Sequence, residues 1–342
     1  MYYQNKWYCV APVTEISSQP IEQVICERPI VIFRTIDSGK LVAMENRCPH
    51  RHAPLSMGKV IGEDIMCIYH GWVMNSNGQC IHIPHQDKVA KSIKIQTYPI
   101  VEKWGLVWIW IGSIANIDET LIPQMDWTED KNQSSVFIRF HVNANYQLMA
   151  DNLLDVSHSD FLHANSFGSR AGQKGNTEEV KAELETWEDD TAIFGLRTLK
   201  NVMLSPMAAA WAGTEKPVTR THKFKWTPPN NINIELILEN DERKRTIHHD
   251  HIMTPETENS CHYFEVWTRD FSVKSGYPTD EDVRREQSSV IGAEDIPIVE
   301  AQQRNQIRFN NPSDITGAAD KLLVAVHKRI TKLQVEKTPS EV

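Results

Sequence analysis

Two short runs of the sequence pair a thiol with an imidazole: Cys48-Pro49-His50 and, after sixteen intervening residues, Cys67-Ile68-Tyr69-His70. Thiolates and neutral imidazoles suit soft or borderline metals, and two of each make either a tetrahedral site or a two-iron one. In a [2Fe–2S] cluster of mixed ligation, two cysteines hold one iron and two histidines the other. Neutral imidazoles in place of thiolates remove negative charge and raise the reduction potential. Structural zinc is the competing reading. The C-x-H spacing disfavours it, because zinc fingers use C-x2–4-C and H-x3–5-H. Cys9, Cys26, Cys80 and Cys261 have no histidine close behind and read as small buried hydrophobes.

A second constellation runs Asp151-Asn152-Leu153-Leu154-Asp155-Val156-Ser157-His158-Ser159-Asp160-Phe161-Leu162-His163. A non-haem Fe(II) that activates O2 takes two histidines and one carboxylate on one face and leaves its other positions open. His158 and His163 are five apart, which on an ideal helix separates them by about 140°. Both reach one metal only where the helix ends or bulges between them. Asp155 and His158, three apart, share a helical face. The third ligand must be a carboxylate from elsewhere, and Glu294-Asp295-Ile296-Pro297-Ile298-Val299-Glu300 offers three. An acid near a helix N-terminus is also physically sound without any metal.

These residues need elements to hold them. The first third reads as short strands, at Pro29–Arg34, Leu41–Met44, Ile65–Ile68, Tyr98–Glu102 and Leu106–Ile111, separated by turn signals such as Asp37-Ser38-Gly39-Lys40 and Asn75-Ser76-Asn77-Gly78. Composition shifts after Gly112, and residues 113–135 suit a connection, which divides the chain into domains 1–115 and 116–342. Beyond the connection the pattern predicts a strand over Val136–Val142, a helix over Gln147–Leu162 and a flexible loop over 166–180. Antiparallel strands follow near 191–200, 220–226, 232–239, 245–253 and 260–270. Ile315, Leu322, Leu323, Val326, Ile330 and Leu333 recur at helical spacing, predicting a packing helix over 314–333. The fold class is α+β: an N-terminal all-β domain, then an α+β domain with an antiparallel sheet framed by helices. In His248-His249-Asp250-His251, strand alternation puts His249 and His251 on one face and His248 with Asp250 on the other.

The composition is that of a globular chain: 342 residues, 40% hydrophobic and 24% charged. A net charge of −9 argues against non-specific nucleic-acid binding. The longest uncharged apolar run, Leu106 to Ile117, falls short of the ~20 residues a membrane span needs. The N-terminal MYYQNKWYCV lacks a signal-peptide pattern, so the expected location is the cytoplasm, away from membranes. No G-x-G-x-x-G fingerprint occurs, so reducing equivalents must come from a separate protein.

Cys48-Pro49-His50-Arg51 with Cys67-Ile68-Tyr69-His70-Gly71-Trp72 resembles the Rieske domains of ring-hydroxylating and demethylating oxygenases. Respiratory-chain Rieske proteins carry two further bracing cysteines, and those positions here hold Ala53 and Tyr69. The D-N-L-x-D-x-x-H-x-x-x-x-H run resembles the mononuclear-iron segment of the same oxygenases. Asp250 to Phe264 is similar to the vanillate O-demethylase, dicamba O-demethylase and toluene-sulfonate methyl-monooxygenase group. The likeness extends from Asn5-Lys6-Trp7-Tyr8 to the C-terminal helix.

The resemblance implies a Rieske [2Fe–2S] cluster on Cys48, His50, Cys67 and His70, and a mononuclear Fe(II) on His158, His163 and Asp295, with Glu294 and Glu300 the rival carboxylates. Asp155 would couple the iron to a cluster histidine of a neighbouring subunit, hydrogen-bonded on its own side to His158 or His163. Asn152 would lie near the iron, and His251 would face the substrate. The implied protein is the terminal oxygenase component of a multicomponent monooxygenase, working as a homotrimer. It would use O2 and electrons from a separate NADH-dependent reductase carrying flavin and [2Fe–2S]. Its reaction would be hydroxylation of a methyl or methoxy carbon of a small anionic aromatic. The alternatives are a Rieske-type electron carrier without oxygen chemistry and an oxygenase acting on a non-aromatic substrate.

Overall fold

A computed structural model describes residues 2–164, 166–168, 182–271 and 278–335. The chain forms two compact units. The first comprises Met1–Ile122 with Thr254–Thr257, and the second Pro123–Met253 with Glu258–Val342.

The first unit is built of β1 (Lys6–Pro12), β2 (Ile21–Ile25), β3 (Arg28–Arg34), β4 (Leu41–Glu45), β5 (Lys59–Ile61), β6 (Asp64–Met66), β7 (Val73–Met74), β8 (Cys80–His82), β9 (Ile100–Lys103) and β10 (Leu106–Ile111). They form three small antiparallel sheets, ordered β1-β10-β9, β2-β3-β4 and β5-β6-β7-β8. β3 shows why the strand signal there is a continuous apolar run. Ile30 and Ile32 point into a cluster with Tyr8, Val10 and Val107, while Val31 and Phe33 point into another with Val42, Leu55 and Ile65. A strand buried on both faces loses polar alternation. Cys48 and Cys67 belong to that second cluster, so the core itself anchors the two metal-binding runs.

Among the described residues, the second unit carries one antiparallel sheet of seven strands: β11 (Ser134–Val142), β12 (Glu183–Glu188), β13 (Ile193–Val202), β14 (Val218–Thr227), β15 (Asn231–Glu239), β16 (Lys244–Thr257, its last four residues counted with the first unit) and β17 (Ser260–Arg269). Their order is β11-β17-β16-β15-β14-β13-β12. Among the described residues, five helices frame it: α1 (Tyr146–Leu154), α2 (Pro206–Ala212), α3 (Asp280–Val290), α4 (Ile296–Arg308) and α5 (Lys321–Val335). Three of these starts have a local cause in a capping side chain. Asn145 caps α1, Ser205 caps α2 ahead of Pro206, and Thr279 with Asp282 makes a reciprocal capping box on α3. Trp211 of α2 and Val283 of α3 pack with Leu236, Ile247 and Trp267 of the sheet.

The α+β class is as expected, with three local differences. The helix expected over Gln147–Leu162 stops at Leu154, and a separate 3-10 turn covers Val156–Asp160. The Asp155 carboxylate accepts from the backbone of Ser157 and caps that new turn, which competes with continuing the α-helix. The C-terminal helix begins at Lys321 rather than near 314. Leu322, Val326 and Ile330 are buried, whereas Ile315 is 98% exposed. Strands β1, β2, β5, β7, β8 and β12 and helices α2 and α3 have no counterpart in the sequence reading. The loop expected over 166–180 lies outside the described residues from 169 onward. Among the described residues, no helix is long and apolar enough to cross a membrane.

Candidate metal centres and substrate cavity

In the first unit, two turns share one backbone hydrogen-bond pattern. The N–H of Cys48 donates to the carbonyl of Ala53, and the Cys48 carbonyl accepts from His52. Likewise the N–H of Cys67 donates to Trp72, and its carbonyl accepts from Gly71. Each turn closes through a residue in the left-handed region, His52 at φ 61° and Gly71 at φ 69°. A Cβ on Gly71 would stand 3.1 Å from the Pro84 side chain, so Pro84 crowds the second turn.

Both sulfurs are buried, while the imidazoles sit nearer the surface. His50 and His70 meet edge to face with ring centroids 4.6 Å apart, and Trp72 stacks flat on His50 at 4.8 Å. Burial, with the neighbouring Cys67 thiol, pushes the Cys48 thiol up to about 11. Two buried sulfurs side by side suit a metal, which deprotonates coordinating thiols outright. His50 Nδ1 is buried without a hydrogen-bond partner, as a ligand nitrogen would be. The four residues fit a [2Fe–2S] cluster with mixed ligation.

In the second unit the break between α1 and the following turn brings His158 and His163 together, with ring centroids 5.1 Å apart. Asp295 arrives from the opposite side, on a single π turn (Ile291–Asp295) between α3 and α4. Such turns are frequent at functional sites. One ligand atom from each of the three residues lies within 4.8 Å of the others. Asp295 Oδ1 stands 3.4 Å from His158 Nε2 and 3.2 Å from His163 Nε2.

The far ring nitrogens fix the tautomers. His158 Nδ1 donates to the Asp155 carbonyl at 2.7 Å, and His163 Nδ1 donates to Glu294 Oε2 at 2.6 Å. Both Nε2 lone pairs are therefore left for a metal. Burial holds His158 below the ordinary imidazole range. Burial pulls His163 down as well, but the Asp295 and Glu294 carboxylates raise it overall, so the site favours positive charge at that point. His163 Nε2 is buried without a hydrogen bond. The three residues fit a mononuclear iron.

The remaining expected site residues fall into distinct places. Asn152 Nδ2 donates to Asp295 Oδ1 at 3.1 Å. Asp155 and His158 do not share an α-helical face, because the helix has already ended. The hydrogen bond between them runs through the Asp155 carbonyl, not its carboxylate. Glu294 orients His163 and also accepts from Ser166 Oγ, while Glu300 accepts from the backbone N–H of Asn143. Gly168 has a steric reason: its N–H donates to the His163 carbonyl, and a Cβ there would lie 2.2 Å from the Ser159 carbonyl.

A cavity of about 610 Å³, part of it open to solvent, extends from His158, His163 and Asp295. Phe167, Trp211, Ile234, Leu236, Trp267 and Ile291 supply apolar walls. His249 and His251 face it, while His248 stacks on Trp127 and Asp250 accepts from Trp127 Nε1, in keeping with the alternation of the strand. His251 Nδ1 is 2.6 Å from the Tyr263 hydroxyl, and its Nε2 has no partner. Burial, and then the charge of Asp295, raises Glu265 to about 8, so it is protonated at neutral pH. It lies 2.8 Å from His249 Nε2, and burial pulls His249 down to about 3. Arg220, His222 and Gln287 also line it. The sequence reading did not single them out. Their signal is polarity at inward positions, as in Val218, Arg220, His222, Phe224 and Trp226 of β14.

Residues 6–99 match the model of the Rieske [2Fe–2S] domain, and residues 142–336 match that of the vanillate O-demethylase oxygenase C-terminal domain. The oxygenase component of dicamba O-demethylase from Stenotrophomonas maltophilia is 31% identical over 97% of this chain and 98% of its own length. A vanillate O-demethylase oxygenase subunit from a Pseudomonas strain is also 31% identical, over 90% of this chain and 88% of its own. The crystal structure of dicamba monooxygenase bound to 3,6-dichlorosalicylic acid superposes with a TM-score of 0.90 at 29% identity, covering 99% of this chain and all of that one. With two metal-ready centres on the scaffold these relatives share, the chain belongs to the vanillate O-demethylase family of Rieske non-haem iron oxygenase components, which carry a [2Fe–2S] cluster and a mononuclear iron.

Proposed function

We propose that Cys48, His50, Cys67 and His70 hold the cluster, that His158, His163 and Asp295 hold the iron, and that the cavity beside the iron takes a small anionic aromatic bearing a methyl or methoxy group. The cluster serves domain 1–115 and the iron domain 116–342. A methoxy substrate, O2, two electrons and two protons give the phenol, formaldehyde and water; a methyl substrate gives the alcohol and water. The bound iron supplies O2 activation, with electrons that a separate NADH-dependent reductase, carrying flavin and [2Fe–2S], delivers in the cytoplasm.

The protein's own groups do the positioning. Glu294 and the Asp155 carbonyl keep both imidazoles in the tautomer that presents Nε2. Asn152 steadies the Asp295 carboxylate without displacing it. Tyr263 is fully buried, which keeps its proton on; donating to His251 Nδ1, it leaves the Nε2–H to donate to a substrate oxygen. The apolar rings exclude water and hold an aromatic plane. In a head-to-tail trimer, Asp155 carries the coupling between one subunit's iron and the next subunit's cluster.

The observation that carries this reading is the convergence of His158, His163 and Asp295 within 4.8 Å at the head of a cavity. The test is iron quantitation combined with a screen of methoxy- and methyl-substituted aromatic acids and sulfonates, using a surrogate reductase. Three irons per chain, with formaldehyde or alcohol formed in step with oxygen uptake, is the expected result. Two irons per chain and no oxygen uptake would identify an electron carrier instead.

A further inference from the structure

The cavity holds a buried cation that pairs with no carboxylate among the described residues. Arg220 is 3% exposed. Its guanidinium makes one long hydrogen bond, Nη1 to the Phe167 carbonyl at 3.4 Å, and its Nε makes none. Among the described residues no carboxylate forms an ion pair with it. The carboxylate whose charge does reach it, Asp160, lies 3.7 Å from Arg197 Nη2 and is therefore shared between two guanidinium groups. Burial lowers Arg220 to about 10, which still leaves it a cation at neutral pH. An uncompensated buried charge is strongly unfavourable, and a protein keeps one where something else supplies the counter-charge.

The surroundings point the same way. His222 Nδ1 and both side-chain polar atoms of Gln287 are buried without partners, and both residues line the cavity with Arg220. Burial, reinforced by Arg220 and Arg197, holds His222 well below the imidazole range, so it adds hydrogen-bonding capacity rather than charge. Phe167 ties this corner to the iron site: its ring stacks on His163 at 4.5 Å and lies 5.9 Å from the Arg220 guanidinium. A substrate spanning that distance would place one end at the metal and the other at the cation.

We propose that Arg220 is the anion anchor of the cavity, pairing with the carboxylate or sulfonate of an aromatic acid while His222 and Gln287 hydrogen-bond to the same group. This rests on the cavity being the substrate site. A guanidinium offers two parallel donors to such a group, so the pairing fixes the direction of the ring as well as its charge. Arg220 is then what separates aromatic acids from neutral aromatics of the same shape.

The test uses the iron-loaded, anaerobic protein and equilibrium binding of methoxybenzoates, the matching benzenesulfonates and the matching neutral amides. Wild type binds at least one acid tenfold or more tighter than its amide, and the stronger of the carboxylate and sulfonate arms names the anion. Arg220→Met abolishes that preference with the Rieske spectrum and three irons per chain intact. It also melts no lower than wild type without ligand, because a lone buried charge is gone, and loses the thermal shift the acid gives wild type. Arg220→Lys keeps the preference for acid over amide but binds the acid several-fold more weakly, which serves if the methionine variant does not accumulate. The proposal is overturned if wild type binds no acid tighter than its amide, if Arg220→Met keeps the preference, or if Arg220→Lys binds as tightly as wild type. Because binding is read without turnover, failure to oxidise any compound counts against the proposed reaction and leaves the Arg220 result standing by itself.

Discussion

The four cluster residues come from two turns within twenty-three residues of sequence, and the same backbone hydrogen bonds close both turns. His158 and His163 share one segment, but Asp295 comes from more than a hundred residues later, and each side reaches the site through an interruption of a helix. In the first unit geometry is local: a thiol in the core, a left-handed residue and one ring stacked on Trp72 suffice. In the second it is tertiary, and it exists only while α1 and the α3–α4 pair stay packed in register. A local centre should survive damage to the other, whereas the assembled one should be sensitive to groups that touch no metal.

The largest effect should come from Cys48→Ser or Cys67→Ser. Each removes an anionic ligand, so visible Rieske absorption should vanish completely while one iron per chain remains. Loss of all three irons would break the independence of the two centres. His158→Ala, His163→Ala and Asp295→Ala should do the converse, leaving two irons and an unchanged cluster spectrum while turnover falls about 1,000-fold or more. If Asp295→Ala keeps its third iron and Glu294→Ala or Glu300→Ala loses it, the carboxylate ligand has been misassigned.

Next in size are two groups that act through a ligand. Glu294→Gln replaces the carboxylate on His163 Nδ1, and iron affinity measured by chelator competition should fall roughly 10–100-fold. Asp155→Asn should retain both metals, yet in single-turnover mixing with substrate and O2 the reduced cluster should reoxidise on the order of 10–100-fold more slowly. Wild-type reoxidation in that variant would remove Asp155 from the electron path. The smallest effect sharpens the likeness of the two cluster turns. Gly71→Ala puts a Cβ against Pro84 at positive φ and should cost about 1–2 kcal/mol in thermal unfolding. His52→Gly, at the matching position, should stay within about 0.5 kcal/mol, because relief of strain offsets the added backbone entropy.

This contrast also accounts for what the sequence made legible. Cys48, His50, Cys67 and His70 are readable because ligands and turn chemistry are contiguous. His158 and His163 stand out as residues, but the apolar spacing through Leu162 hides the end of α1. The sign of it is Asp155 two residues before Ser157, a side chain able to cap a fresh turn. Asp295 carries no such sign. Nothing in Ile291-Gly292-Ala293-Glu294-Asp295 distinguishes a π turn from an ordinary one, since packing decides it. Arg220 and Gln287 were hidden differently, because period-2 or helical patterning says which way a side chain points but not what else points there.

The π turn makes Asp295 a matter of angular phase. An α-helix advances about 100° per residue, so one residue more or less between two helical stretches turns everything beyond it by more than a quarter of a revolution. Here α3 is fixed at its start by the Thr279–Asp282 box and by Val283 against the sheet, and α4 by Gln303, whose side chain accepts from the Asn145 backbone. With both ends clamped, the wide turn between them sets the heading of Asp295. Deleting Gly292 would preserve every ligand, every charge and nearly every contact in composition, yet swing the carboxylate off the imidazoles. Along this stretch, a single-residue deletion is a harsher change than most substitutions.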